Sequence, residues 1–289
     1  MEKFKKGILI LIVIALIVAI VAVTVNFVLS KTDNKKNPVV TMEIEGYGTI
    51  KIELYPDMAP NTVKNFIKLT QRGYYDGKTI TDIEDGLIRA GLTETTDEDG
   101  NTTAEGPKLS NIKDIAEEDD EAYTIPGEFI QNGYDANTLS HQRGVISMYR
   151  LTAADYENEI AMMEKLGDMY ASYAESLVED MNNSQSGEFF ILTEDYPELD
   201  GNFTAFGKVI EGMDVVDAIA ATELQTAENT DENGTVTSMP ATIVISKATV
   251  ETYGIDYGEP KTETYFNFDE IFNMFLQSFM QSNSTSIEY

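Results

Sequence analysis

Cysteine is absent from this chain of 289 residues, which excludes disulfides, thiolate metal sites and lipid attachment through a thiol. Histidine occurs once, at His141, so neither a histidine metal cluster nor a triad needing a second imidazole is available. His141 therefore reads as a structural or surface residue. Basic residues are scarce: 20 Lys and Arg stand against 50 Asp and Glu, a formal charge of -30. Such a field repels phosphate backbones and argues against nucleic acid as a partner; its plainer role is solubility. The sequence holds no glycine-rich phosphate loop and no nucleophile elbow. Asn229, Asp231, Asn233 and Gly234 have the residue types of a calcium loop, but Pro240 stands where the bidentate glutamate is required. That run reads as a polar turn, and no metal or cofactor is expected.

The length allows one full core plus appendages. Residues 7–29 are apolar without a charged interruption. At about 1.5 Å per residue this run spans the roughly 30 Å of a bilayer core, and no small-x-small cleavage site follows it. An uncleaved single-span helix is expected, with residues 1–6 as a cytoplasmic stub and 30–38 as a linker. Lys3, Lys5 and Lys6 before the run nearly balance Lys31, Lys35 and Lys36 after it. A long acidic domain translocates largely regardless of charge, so the main domain is expected on the outer side of the cell membrane.

From residue 39 the pattern becomes that of a folded domain. Residues 39–45 and 49–55 alternate apolar and polar around Gly46-Tyr47-Gly48, the signature of a β-hairpin. Pro60 marks a helix start; Val63, Phe66, Ile67 and Thr70 share one helical face, and Gly73 supplies the stop. Residues 92–121 are rich in Thr, Asp, Glu and Gly without an apolar period, which predicts a surface loop. Residues 152–183 read as helical, because Tyr156, Ile160, Met163, Gly167, Tyr170, Ala174, Leu177 and Met181 recur at three- and four-residue steps. That stripe is a packing face before it is a ligand site. A helical turn after Val216, a polar loop over 222–239 and a closing strand over 241–250 complete the domain. In the tail, 253–289, Asn267 and Glu270 make a capping-box-like start, and Phe268, Ile271, Phe272, Phe275 and Phe279 share a face. Docking of that face on the protein's own domain is the first reading. A partner helix or a membrane surface is the second, with lipid disfavoured by the lack of nearby Lys or Arg.

Several motifs carry a resemblance. Ile52-Glu-Leu-Tyr-Pro-Asp-Met-Ala-Pro-Asn-Thr-Val-Lys-Asn-Phe66 is followed by Tyr74-Tyr75-Asp76-Gly77. Tyr123-Thr-Ile-Pro-Gly-Glu-Phe129 and Arg143-Gly-Val-Ile-Ser-Met148 come next, then Gly187-Glu188-Phe189-Phe190-Ile191 and Leu199-Asp-Gly-Asn-Phe-Thr-Ala-Phe-Gly207. In this order they resemble the cyclophilins, the barrel-fold peptidyl-prolyl cis-trans isomerases. The resemblance covers roughly 39–252 with the insertions 92–121 and 152–183 excepted. It implies a closed, mainly antiparallel eight-stranded β-barrel with capping helices, here with an N-terminal transmembrane helix added. It also implies isomerisation of X-Pro bonds in proline-containing polypeptide clients, in this setting exported proteins whose folding is assisted.

An X-Pro bond isomerises over a barrier of roughly 18–20 kcal/mol. Lowering it takes an apolar seat for the proline ring and a donor aimed at the prolyl nitrogen, which accepts a hydrogen bond only in the twisted state. In cyclophilins an arginine is that donor; Asp82 occupies its place here, and an ionised carboxylate only accepts. Arg89 matches a family glutamine beside the arginine and is the candidate substitute donor. The competing reading pairs Arg89 with Asp82 or Glu188 as a structural ion pair. Phe190 matches the pocket floor and Leu199 an apolar wall, while Glu188 and Phe203 replace a family glutamine and histidine. Leu87, Tyr149 and Arg150 complete the candidate substrate-binding set, the latter two at the strand edge that meets residues before proline. Loss of the polar set with the floor retained keeps open a weakened or non-catalytic binding module. An envelope structural subunit docked through the Phe-rich tail is a third reading.

Overall fold

The computed structural model describes residues 36–84, 86–96, 102–222 and 242–284. Alternation over the first strands builds a hairpin, β1 (Val39–Ile44) and β2 (Gly48–Leu54), paired from Val39↔Glu53 to Ile44↔Gly48. Its inward side chains, Val40, Met42, Ile44, Ile50, Ile52 and Leu54, are all buried. Gly46 makes the turn with φ 77°, a conformation that costs glycine little.

Further strands extend the sheet: β3 (Ile80–Glu84), β4 (Leu87–Ala90), β8 (Val145–Met148), β9 (Phe189–Leu192), β10 (Thr204–Glu211) and β11 (Ile245–Glu251). Their order is β11-β1-β2-β10-β8-β9-β4-β3, antiparallel throughout. Helix α1 (Pro60–Gln71) and helix α4 (Met213–Ala220) add Val63, Phe66, Ile67, Leu69, Val216 and Ile219 to the core inside the curl. Phe66 is its hub, with ring centroids 4.9 Å from Tyr75 and Phe206 and 5.5 Å from Phe189. Ala59 before α1 offers no capping side chain. The buried carboxylate of Glu128 caps the helix instead, accepting from the backbone N–H of Asn61 at 2.9 Å and of Thr62 at 2.8 Å.

Residues 152–183 form two helices, α2 (Glu157–Lys165) and α3 (Asp168–Asp180), separated at Gly167 with φ 122°. The tail contributes β12 (Glu263–Thr264), paired with β7 (Tyr123–Thr124), and then α5 (Phe268–Ser284). Met163, Ala174, Leu177, Met181 and Phe268 make a second core, distinct from the barrel interior. Docking of the tail on the protein's own domain, the first reading of its Phe face, is what is seen. Phe268 lies 4.0 Å from Tyr156, and Tyr170 meets Phe275 and Phe279, each at 5.6 Å. The Asn267 side chain accepts from the Glu270 N–H at 3.2 Å.

Three expectations are corrected. The barrel is not closed by a continuous ladder: β3 and β11 are the two ends of the sheet order and, among the described residues, are joined by the bridge Thr79↔Val244 and flanking bonds such as Ile80 N–H to Ile243 O, 2.9 Å. A bulge between Ile80 and Asp82 turns β3 out of line just past that bridge, leaving a curled, half-barrel sheet with helices. Next, no helix among the described residues is long and apolar enough to cross a membrane. The expected transmembrane helix has no counterpart there. Residues 7–29, on which that helix and the extracytoplasmic location rested, lie outside the described residues, as do 223–241 with the calcium-loop-like turn. Finally, part of the expected 92–121 loop is a hairpin, β5 (Thr93–Thr96) with β6 (Thr102–Glu105); Thr-rich segments favour strands even without an apolar period.

Candidate functional site

Directly opposed residues of an antiparallel pair point to one face of a sheet. Arg89 opposes Phe190, Leu87 opposes Leu192, and Phe190 in turn opposes Ser147. Ile88, Ala90, Ile146, Met148, Phe189 and Ile191, the alternate set, fill the main core. Leu87, Arg89, Phe190 and Leu192 therefore belong to the outer face. There Phe190 and Leu192 are buried in a separate cluster with Leu87, Tyr149, Leu199 and Phe203. The Phe203 ring stands edge-on to Phe190 at 5.6 Å and 86°.

Below this floor lies a polar support that sequence reasoning left out. The His141 ring stacks on Phe190, with 6.4 Å between centroids. Its Nδ1 is 2.9 Å from Asp200 Oδ1, and its Nε2 is 2.9 Å from Ser147 Oγ. With Nδ1–H donating to the carboxylate and Nε2 accepting from the hydroxyl, the neutral ring satisfies both neighbours. Burial lowers the His141 pKa from the ordinary 6.5, against the pull of Asp200, which favours the neutral form. The local sequence carries no signal for this network, because it depends on which residues the strands bring opposite one another.

At the rim, the Arg89 guanidinium lies 4.5 Å over the Tyr149 ring. Nη2 donates to Asp82 Oδ2 at 2.5 Å, with Glu84 at 3.7 Å, and Nε lies 3.5 Å from Glu188. Burial opposes the charge, but Glu188, Tyr149 and Asp82 together outweigh it and raise the Arg89 pKa. Nε is buried and has no hydrogen-bond partner among the described residues. The ion-pair reading of Arg89 is what is seen: Nη2 pairs with Asp82 and Nε with Glu188.

Arg150 plays a different part. It is buried, its Nε and Nη1 donate to the carbonyls of Asn202 and Leu151 at 2.8 and 2.9 Å, and it sits 5.0 Å from both the Phe129 and Phe203 rings. It braces Phe203 from behind. The structure thus gathers Leu87, Tyr149, Phe190, Leu199 and Phe203 into one apolar cluster with Arg89 and Glu188 at its edge. Among the described residues, no group of three or more His, Asp or Glu side chains is placed to hold a metal ion.

Comparison with known proteins identifies the family. The family model for cyclophilin type peptidyl-prolyl cis-trans isomerases matches residues 39–163 and 155–241. Peptidyl-prolyl cis-trans isomerase B of Bacillus subtilis is 29% identical over 171 residues, 59% of this chain and 82% of that protein. Peptidyl-prolyl cis-trans isomerase cypE of Dictyostelium discoideum is 30% identical over 186 residues, 64% of this chain and 86% of that protein. A crystal structure of a Cryptosporidium parvum cyclophilin type isomerase aligns with 75% of this chain and 98% of its own at 20% identity, TM-score 0.46. The chain belongs to the cyclophilin type peptidyl-prolyl cis-trans isomerase family.

Proposed function

We propose that this chain isomerises X-Pro bonds of polypeptides, seating the proline ring on Phe190, Leu87, Leu199 and Phe203 and using Arg89 as donor to the prolyl nitrogen. The Arg89 guanidinium at the edge of the Phe190 cluster carries this reading: Nη2 is bonded to Asp82, and the buried Nε, 3.5 Å from Glu188 and outside hydrogen-bond geometry, is the donor that can turn to a new acceptor. The Nε–Glu188 contact is long for a hydrogen bond, and a pyramidal prolyl nitrogen, present only in the twisted state, offers Nε a closer acceptor. An interaction realised only at the transition state is what raises turnover. Arg89 stays protonated throughout and needs no proton partner.

A second reading rests on the carboxylates Asp82, Glu84 and Glu188 around that guanidinium, which weaken its pull on a new acceptor. It makes the protein a proline-recognising binding module. The two readings separate in exchange NMR of an Ala-Ala-Pro-Phe peptide with the full chain. Catalysed exchange lost by about 100-fold in Arg89→Ala supports the isomerase. Peptide binding with no exchange above background supports the binding module.

A further inference from the structure

Next to the Arg89–Glu188 rim is a cavity of about 490 Å³, within the range of about 300–1,000 Å³ found for ligand clefts. Tyr149 and Glu188 line both the rim and the cavity; Tyr156 of the inserted segment and residues 265–269 of the tail supply the opposite walls. Residue 265 lies well past 241, where the family match ends, so this wall belongs to this chain's own extension. The charged residues lining it are both acidic, Glu188 and Asp269. Asp155 stands behind them, accepting from the Tyr149 hydroxyl at 2.9 Å. The Arg89 guanidinium at the rim is shared among Asp82, Glu84 and Glu188, so one positive charge faces three carboxylates and, with Asp269, a negative excess remains. The rings of Tyr149, Tyr156 and Tyr265 add π-faces to the walls. Burial first, and nearby carboxylates second, raise the pKa of all three phenols, consistent with negative potential in the cavity.

We propose that this cavity is a subsite for a basic side chain, lysine or arginine, of the polypeptide whose proline sits on Phe190. The proposal rests on the isomerase or binding reading of the neighbouring site, because Tyr149 and Glu188 are shared. A cation there meets carboxylates and aromatic faces at once, whereas an acidic side chain meets like charge in a partly dry space. The tail, docked through Phe268, holds Asp269 in place, so the preference is a property of this chain rather than of the family pattern.

The test uses the full chain and short proline peptides in which one position at a time, from three residues before proline to three after, is lysine, glutamine or glutamate. Affinity is read by NMR titration and turnover by exchange on the same samples. At one register the lysine peptide is expected to bind about tenfold tighter than the glutamine peptide, with glutamate weaker still and the preference shrinking at high salt. Asp269→Asn is expected to cut the lysine-to-glutamine ratio to about twofold, and Asp269→Glu to restore it. Equal affinities at every register, a preference that survives Asp269→Asn, or no binding by any peptide would each overturn the subsite. Lysine preference without catalysis would overturn only the isomerase reading; catalysis without preference would overturn only the subsite.

Discussion

Asp82 and Arg89 face each other across the β3–β4 ladder, with the guanidinium Nη2 2.5 Å from the carboxylate. By its resemblance to the cyclophilin pattern, Asp82 stands at the position of an arginine and Arg89 at that of a glutamine, and on that reading the cation has crossed to the neighbouring strand. Its charge remains beside Phe190, which opposes Arg89 on β9.

Restoring the family arrangement measures what that crossing costs. The double exchange Asp82→Arg with Arg89→Gln is expected to raise kcat/KM for an Ala-Ala-Pro-Phe peptide by about tenfold or more. Arg89→Gln alone should lower it, and Asp82→Arg alone should set two guanidinium groups against each other and lower the urea midpoint. The two changes are therefore strongly non-additive. A double variant no faster than the parent chain would show that the placement of the donor does not limit turnover.

How much of this was legible before any coordinates depends on range. The hairpin at Gly46 and the helix from Pro60 are written in local periods of two and 3.6, and both stand where the sequence puts them. Phe190 and Arg89 were legible as motif positions, but their sharing a face is a matter of register, which one residue's slip would reverse. The opening between β3 and β11 hangs on a bulge after Ile80 that no composition signals. The wall formed by residues 265–269 was the least visible. It meets Tyr149 from more than a hundred residues away, and the Phe periodicity of the tail foretold an apolar face without naming its partner.

The single histidine gives a clean pH prediction. Burial holds the His141 pKa below the ordinary 6.5, so the unfolded chain binds the proton more readily than the folded one. Stability is then full above about pH 6.5 and declines as pH falls from there toward the folded pKa. Asp200 acts in a lower window. Its pKa is lowered from the ordinary 3.8 because N–H donation by His141 outweighs burial, and its contribution is lost only in more acid solution. Urea midpoints measured from pH 7.5 to 5 should fall in the parent chain and stay nearly flat in His141→Gln. A flat parent profile would mean that the imidazole titrates as it does in water.

Phe268 joins the tail to the inserted helices, and its removal should loosen them without loosening the sheet. The side chain is 1% exposed, packed 4.0 Å from Tyr156 and 6.0 Å from Phe272. Truncation of a buried phenylalanine costs about 3–5 kcal/mol. Here the loss falls on a small core made of Met163, Ala174, Leu177 and Met181, which is separate from the one organised around Phe66. In Phe268→Ala, amide exchange should speed up by orders of magnitude in α2, α3 and α5 while β1, β2 and β10 keep their protection. Because Asp269 follows directly on Phe268, the same variant should lose the preference for lysine peptides while still binding proline on Phe190. Uniform loss of protection across the sheet would instead show that the two cores unfold as one unit, and that the tail is part of the barrel's stability rather than a wall added to its groove.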